Sequence, residues 1–315
     1  MRKKLLAVAV AVAAMVPAAG HAEQFVNVLT GGTSGVYYPL GVALTKIYSD
    51  TMPDAKVSVQ STKASVENLN LIQQGRGEVA FTLGDSLSDA WKGDAEAGFA
   101  KKLDKLRGLS AIYPNYIQIV ASAESGIKTL ADLKGKRVSV GAAKSGTELN
   151  ARKVFAAAGI TYQDLAKVEY LPFGESVELM KNRQLDATLQ SAGLGVSSIR
   201  DLASSVPITV VAVPAETVKK IGDAAYIPAA IPAETYTGQA QPVETVAVVN
   251  YLVTSADLPE DLVYKMTKAL HDNKDKLVAA HAAAKAISLE KAVEGMPVPL
   301  HPGAEKFYKE KGIVK

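Results

Sequence analysis

GGTSGVYYPLG, Gly31 to Gly41, follows directly on a short apolar run, Phe25 to Leu29. An apolar run that gives way to glycine, threonine and serine and then to helical spacing reads as a strand, a tight loop and the start of a helix. The first N–H groups of a helix have no partner within it, so such an end attracts anions. Gly32, Ser34, Gly35 and Tyr38 are the candidates this loop offers for contact with a ligand. Those amides can cradle a phosphate, form an oxyanion hole, or hold a small ligand without chemistry.

The same pattern recurs along the chain. Val36, Leu40, Leu44, Ile47 and Tyr48 repeat at helical spacing, and Lys56 to Gln60 alternates as a second strand. Residues 61–65 then form a polar loop before a helix bearing Val66, Leu69 and Ile72, and Val79 to Leu83 forms a third strand ending in Gly84 and Asp85. In an open α/β sheet these strand-to-helix loops fall on one carboxyl edge, where such sheets bind ligands. Past Pro114 a strand at Tyr116 to Ala121 opens a second cycle, with strands at 138–140, 168–171 and 186–189 and a polar loop, GAAKSGTELN, at 141–150. Val246 to Val253 reads as a long return strand, and the tail from Asp257 as helical, with Asp257 as N-cap and Lys274 to Ala286 as an outer helix. The expectation is two α/β lobes, each an open mixed or parallel sheet flanked by helices, joined by a two-strand hinge. Residues 23–115 and 246–315 form lobe I and residues 116–245 lobe II.

Residues 1–22 have the three parts of a secretory signal: Arg2, Lys3 and Lys4, an apolar stretch from Leu5 to Val16, and small residues ending at Ala22. Cleavage before Glu23 and a periplasmic location are expected. Without cysteine there is neither a lipid-anchor site nor a disulfide. The formal charge of +3 comes from 35 basic against 32 acidic residues, and three of the basic ones lie in the signal. A near-neutral chain lacks the concentrated basic surface that nucleic acid or an anionic membrane requires. A monomer is expected.

Catalytic constellations are missing. The 141–147 loop has glycines and a threonine but no lysine before Thr147, as a nucleotide-binding loop needs. Ser145 to Glu148 instead fits a capping box. Gly32 to Gly35 misses the spacing of a serine nucleophile elbow, and His271, His281 and His301 form no metal-binding pair. Such lone histidines read as surface or capping residues. No cofactor and no metal are expected. Tyr37 and Trp91 read as core, and Tyr38 and Tyr226 as lying near the cleft.

GGTSGVYYPLG at 31–41, the run from Thr62 to Asn68, Gly84-Asp85, VGAAKSGTELNA at 140–151 and PLHPGAEKFYKEKGI at 299–313 together resemble the TAXI family, the solute-binding proteins of TRAP transporters. The resemblance spans nearly the whole chain after residue 22. It implies a two-lobe, type II-like periplasmic binding protein that closes on a small organic acid or amino acid, with glutamate or 2-oxoglutarate typical. The ligand passes to a membrane permease driven by an ion gradient. Carried over by position, the ligand shell comprises Ser34, Gly35 and Tyr38, then Thr62, Ser65 and Asn68, with Asp85 from the first lobe. Ser145, Gly146 and Thr147 face them, joined by Gln190 and Tyr226. Lys63 and Lys144 occupy loop positions where the family commonly has small residues, and either could meet a carboxylate or point to solvent. Asp85 either caps its helix or faces the cleft, where it would favour an ammonium-bearing ligand. Leu83 stands where the family pattern places glutamine. The rival readings are a ligand-sensing receptor module, a binder for an ATP-driven transporter, and a periplasmic hydrolase using Ser34 or Ser145.

Overall fold

The computed structural model describes residues 24–315; the expected signal and its cleavage point lie outside them. The chain runs β1 (Gln24–Leu29), α1 (Tyr37–Thr51), β2 (Ala55–Gln60), α2 (Ser65–Gln73), β3 (Val79–Leu83), α3 (Gly84–Lys92) and β4 (Leu106–Ser122). It continues through β5 (Arg137–Ser139), α4 (Gly146–Ala157), β6 (Lys167–Glu169), α5 (Phe173–Lys181), β7 (Ala187–Ala192), α6 (Ser197–Ser205), β8 (Ile208–Val211) and α7 (Ala215–Ile221). The remainder is β9 (Ile227–Ile231), β10 (Val243–Ser255), α8 (Glu260–Asp272), α9 (Lys274–Ala280) and α10 (Pro302–Glu310).

The strands form one mixed sheet in the order β2-β1-β3-β10-β4-β7-β5-β6, with β8 on β4 and β9 on β10. β1 is parallel to β2 and β3, and β5 to β6 and β7. The two parallel groups are joined by β4 and β10, which are antiparallel to each other. One end of β4 pairs with β10, and the segment Tyr116–Ala121 with β7. In the same way, β10 pairs with β3 through Asn250–Val253 and with β9 through Val243–Ala247. Two strands therefore cross between two α/β halves, and their register shifts at Val249–Tyr251, beside Pro114. Proline lacks the donor a regular ladder needs, so an irregularity at this point follows from the sequence.

Local sequence accounts for the layers. In α1, Leu40, Leu44, Ile47 and Tyr48 form a buried stripe, and α8 and α9 pack against this helix, returning the tail to the first half. All five residues of β3 are buried, whereas edge strand β2 alternates along its length. The second half has its own core of Ile119, Val138, Val154, Phe155 and Leu189.

Several element boundaries differ from expectation. Pro114 lies inside β4 rather than before it. The segment 226–242 contains strand β9. Asp257 does not cap α8, which starts after Pro259. The tail helix breaks at His281, whose ring Nδ1 accepts from the Ala283 amide at 3.1 Å and caps a following 3-10 turn.

Candidate functional site

The carboxyl ends of β1, β2, β5, β6 and β7 converge on a cavity of about 370 Å³ between the two halves. Four helices begin at its wall, α1, α2, α4 and α5, as Tyr37, Ser65, Gly146 and Phe173 show. The N–H groups of a first helical turn have no intrahelical acceptor and carry the positive end of the helix dipole. Ser145 caps α4 by accepting from the Glu148 amide at 3.1 Å, which leaves the Gly146 and Thr147 amides at the cavity. The expected capping box is half formed, because the Glu148 carboxylate instead takes Arg152 at 2.6 Å and the Tyr162 hydroxyl at 3.0 Å.

Backbone geometry around the cavity is unusual. Ala64, just before α2, holds φ 70° and ψ −145°, and Lys144, just before Ser145, holds φ 62°. Non-glycine residues rarely adopt these values, and such strain concentrates at ligand sites. Gly141 holds φ 92°, and a Cβ there would lie 2.6 Å from the Thr147 methyl. Only glycine lets that loop fold back onto its helix.

Of the residues singled out in the sequence, Gly32, Ser34, Gly35, Thr62, Lys63, Ser65, Ser145, Gly146 and Thr147 all line the cavity. Some of their side chains are already engaged. The Thr62 hydroxyl lies 2.9 Å from the Thr30 carbonyl and 2.6 Å from Asn68 Oδ1, and the Ser65 hydroxyl accepts from the Leu83 amide at 3.1 Å.

Six residues lie off the wall. Tyr38 is partly exposed on α1. Asn68 is buried beneath the second loop and donates to the carbonyls of Thr30 and Phe81 at 2.7 and 2.9 Å, so it shapes the loop. The Lys144 side chain is exposed, and its carbonyl accepts from the Glu67 amide of the opposite half at 3.3 Å. Gln190 is buried and accepts from the Ser198 hydroxyl at 2.6 Å. Asp85 neither caps α3 nor faces the cavity. It binds Tyr226 and Asn150 of the other half at 2.5 and 2.8 Å, which also removes Tyr226 from the wall. Burial pushes the Asp85 carboxyl up, while Lys153 and the Tyr226 hydroxyl act in the opposite direction.

The wall includes residues not expected from the sequence. Tyr113, Asn115, Phe173, Glu175 and Ser191 all line the cavity. Asn115 belongs to a buried chain: its amide donates to the Ser191 carbonyl at 2.8 Å, and its Oδ1 accepts from Asn250 at 2.8 Å. Asn250 in turn accepts from the Tyr37 hydroxyl at 2.5 Å. This chain runs across β4 and β10 where the halves join. Lys63 and Glu175, both exposed, are the only charged side chains among the described residues on the wall. Val36, Tyr37, Leu83, Tyr113 and Phe173 make much of it apolar. No histidine lies there, so Ser34 and Ser145 have no imidazole base beside them.

The halves also touch around the cavity mouth. The Ser197 hydroxyl donates to the Ser34 carbonyl at 2.9 Å. A Cβ on Gly146 would lie 2.7 Å from both Leu83 Cδ1 and Ser65 Oγ.

A model of the family described as NMT1-like matches residues 28–312. Among solved structures, the periplasmic binding protein BugD superposes with a TM-score of 0.59 at 14% identity, over 92% of this chain and 96% of that one. A provisionally assigned L-cystine ABC transporter protein from Listeria monocytogenes gives 0.52 at 16% identity, over 84% and 98%. At such identities the likeness establishes the fold, and that fold is the two-lobe α/β architecture of periplasmic binding proteins.

Proposed function

The chain belongs to the NMT1-like family, and on that premise we propose that it is a periplasmic solute-binding protein that encloses a small organic acid or amino acid between its lobes. The lobes are residues 23–115 with 246–315, and residues 116–245, a division supported by the crossing of β4 and β10 between the halves. The ligand then passes to a membrane permease of the TRAP type, in keeping with the TAXI resemblance of the loops at 31–41 and 140–151.

The observation that carries this reading is the meeting of four helix N-termini at one cavity with almost no charge on its wall. An organic carboxylate there would be held by the amides of Gly146 and Thr147 and by the Gly32–Gly35 loop. Hydrogen bonds to a charged group contribute about 1.5–3 kcal/mol each, so two or three suffice without arginine. Lys63 and Glu175 at the rim can meet the acid and ammonium groups of an amino acid. Leu83 places a methyl-bearing wall where the family pattern has an amide, and Tyr113 and Phe173 contact the ligand's carbon skeleton.

The test is a thermal-shift and calorimetric screen of the mature protein, residues 23–315, with glutamate, 2-oxoglutarate and a broad panel of organic acids and amino acids. At least one small carboxylate is expected to raise Tm in proportion to its affinity, and a flat response across the panel sinks the reading. The two-lobe fold also serves ATP-driven transport, as the Listeria likeness illustrates. Uptake by vesicles carrying the permease separates the two, since the TRAP reading requires an ion gradient and no ATP.

A further inference from the structure

Asp85 is 1% exposed, and apart from the adjacent Ser86 amide at 2.8 Å its partners all come from the opposite lobe. Oδ2 accepts from the Tyr226 hydroxyl and from Asn150 Nδ2, and that same Nδ2 lies 2.7 Å from the Tyr226 oxygen. Lys153 stands beside them with its ammonium 3.9 Å from Asp85, 3.4 Å from Asp89 and 3.1 Å from Asp223. It also lies 5.3 Å from the centre of the Tyr226 ring. Asp85 and Asp89 belong to α3, and Asn150 and Lys153 to α4.

The spacing along α4 links this cluster to the cavity. Gly146, Asn150 and Lys153 are four and then three residues apart, and so share one helix face. Gly146 abuts Leu83, Ser65 and Ser86 of the first lobe, Asn150 meets Asp85, and Lys153 meets Asp89. The polar cluster thus fixes where the Gly146 and Thr147 amides stand. A carboxylate this deeply buried is sustained only by those partners. Parting of the lobes removes them together and returns Asp85 to water, an exchange that is close to balanced in free energy.

We propose that Asp85, Tyr226, Asn150 and Lys153 form an inter-lobe latch that positions the first turn of α4 and sets how long a ligand stays enclosed. The proposal rests on the reading of the protein as a two-lobe binder that opens and closes. None of the four touches the ligand; they are positioning residues, and they govern release rather than ligand identity.

Tyr226→Phe and Asp85→Asn each remove one strong contact while keeping shape. The chain contains no cysteine, so spin labels at K46C in lobe I and K128C in lobe II, both exposed positions, report inter-lobe distance without background. Both variants should shift the ligand-free distance distribution away from its closed component, and an unchanged distribution in both overturns the latch. With glutamate as probe, release should quicken about tenfold for loss of one hydrogen bond to a charged group, with association and the ligand-free Tm unchanged. A fall in ligand-free Tm with release unaltered would mean an ordinary structural contact and also overturns it. Failure of the wild type to bind glutamate counts against the ligand assignment alone, because the distance measurement still decides the latch.

Discussion

His271 shows what one side chain contributes when it is packed rather than displayed. Its ring stacks on Phe307 with centroids 5.7 Å apart, and Nε2 lies 3.0 Å from the Tyr308 hydroxyl. That hydroxyl donates to the Leu109 carbonyl at 2.7 Å, so the histidine acts as donor to it through Nε2. Burial lowers its pKa from 6.5 to about 4. As pH falls below 6.5 the unfolded chain takes up this proton before the folded one does. Stability is therefore flat with respect to His271 above pH 6.5 and declines between 6.5 and 4, by up to about 3 kcal/mol. Denaturation at pH 7.5 and 4.5 should show a larger loss for wild type than for His271→Gln, and equal losses refute the assignment. His301 and His281 are caps, as lone histidines suggest from sequence, but His271 has a buried role that its spacing does not reveal.

At the scale of elements, α4 is the piece whose placement matters most. Gly146→Ala would put a methyl group 2.7 Å from Leu83 and Ser65 and 2.9 Å from Ser86. All three belong to the opposite lobe, so the clash is felt only on closure. The variant should keep its ligand-free Tm and bind its ligand at least roughly tenfold more weakly, as expected for about 1–3 kcal/mol of overpacking. Calorimetry on both proteins checks this, and unchanged affinity refutes it. The three polar loops after β1, β2 and β5 were legible because glycine, serine and threonine before an apolar periodic run have one common reading. Tyr113 and Asn115 were not, because Pro114 reads as the end of a loop and sets the strand's start at Tyr116, whereas β4 runs through both residues. Phe173 and Glu175 open a helix whose start, after Pro172, carries no capping side chain. Asp85 was open to two readings, cap or ligand contact, and the structure gives a third. Local sequence cannot show that its partners lie 65 and 141 residues away.

For the whole molecule, the two-lobe plan was legible from the recurrence of the strand-loop-helix unit and the single return strand. The insertion of β10 between β3 and β4 was not, since nothing local specifies which neighbour a strand selects. This insertion also governs when the protein can fold. β3 is buried along its whole length and pairs with β1 on one edge, but its other edge finds a partner only in Asn250–Val253, some 170 residues later. Until that segment is synthesised, the first lobe has an unpaired apolar strand edge and lacks the helices that cover α1. A chain ending at Pro242 should therefore show no cooperative melting transition, although it holds nine of the ten strands. A sharp calorimetric transition in that fragment would disprove this. Pairings so distant in sequence make folding slow. The first lobe cannot be completed from its amino end alone, and its maturation awaits almost the last fifth of the chain.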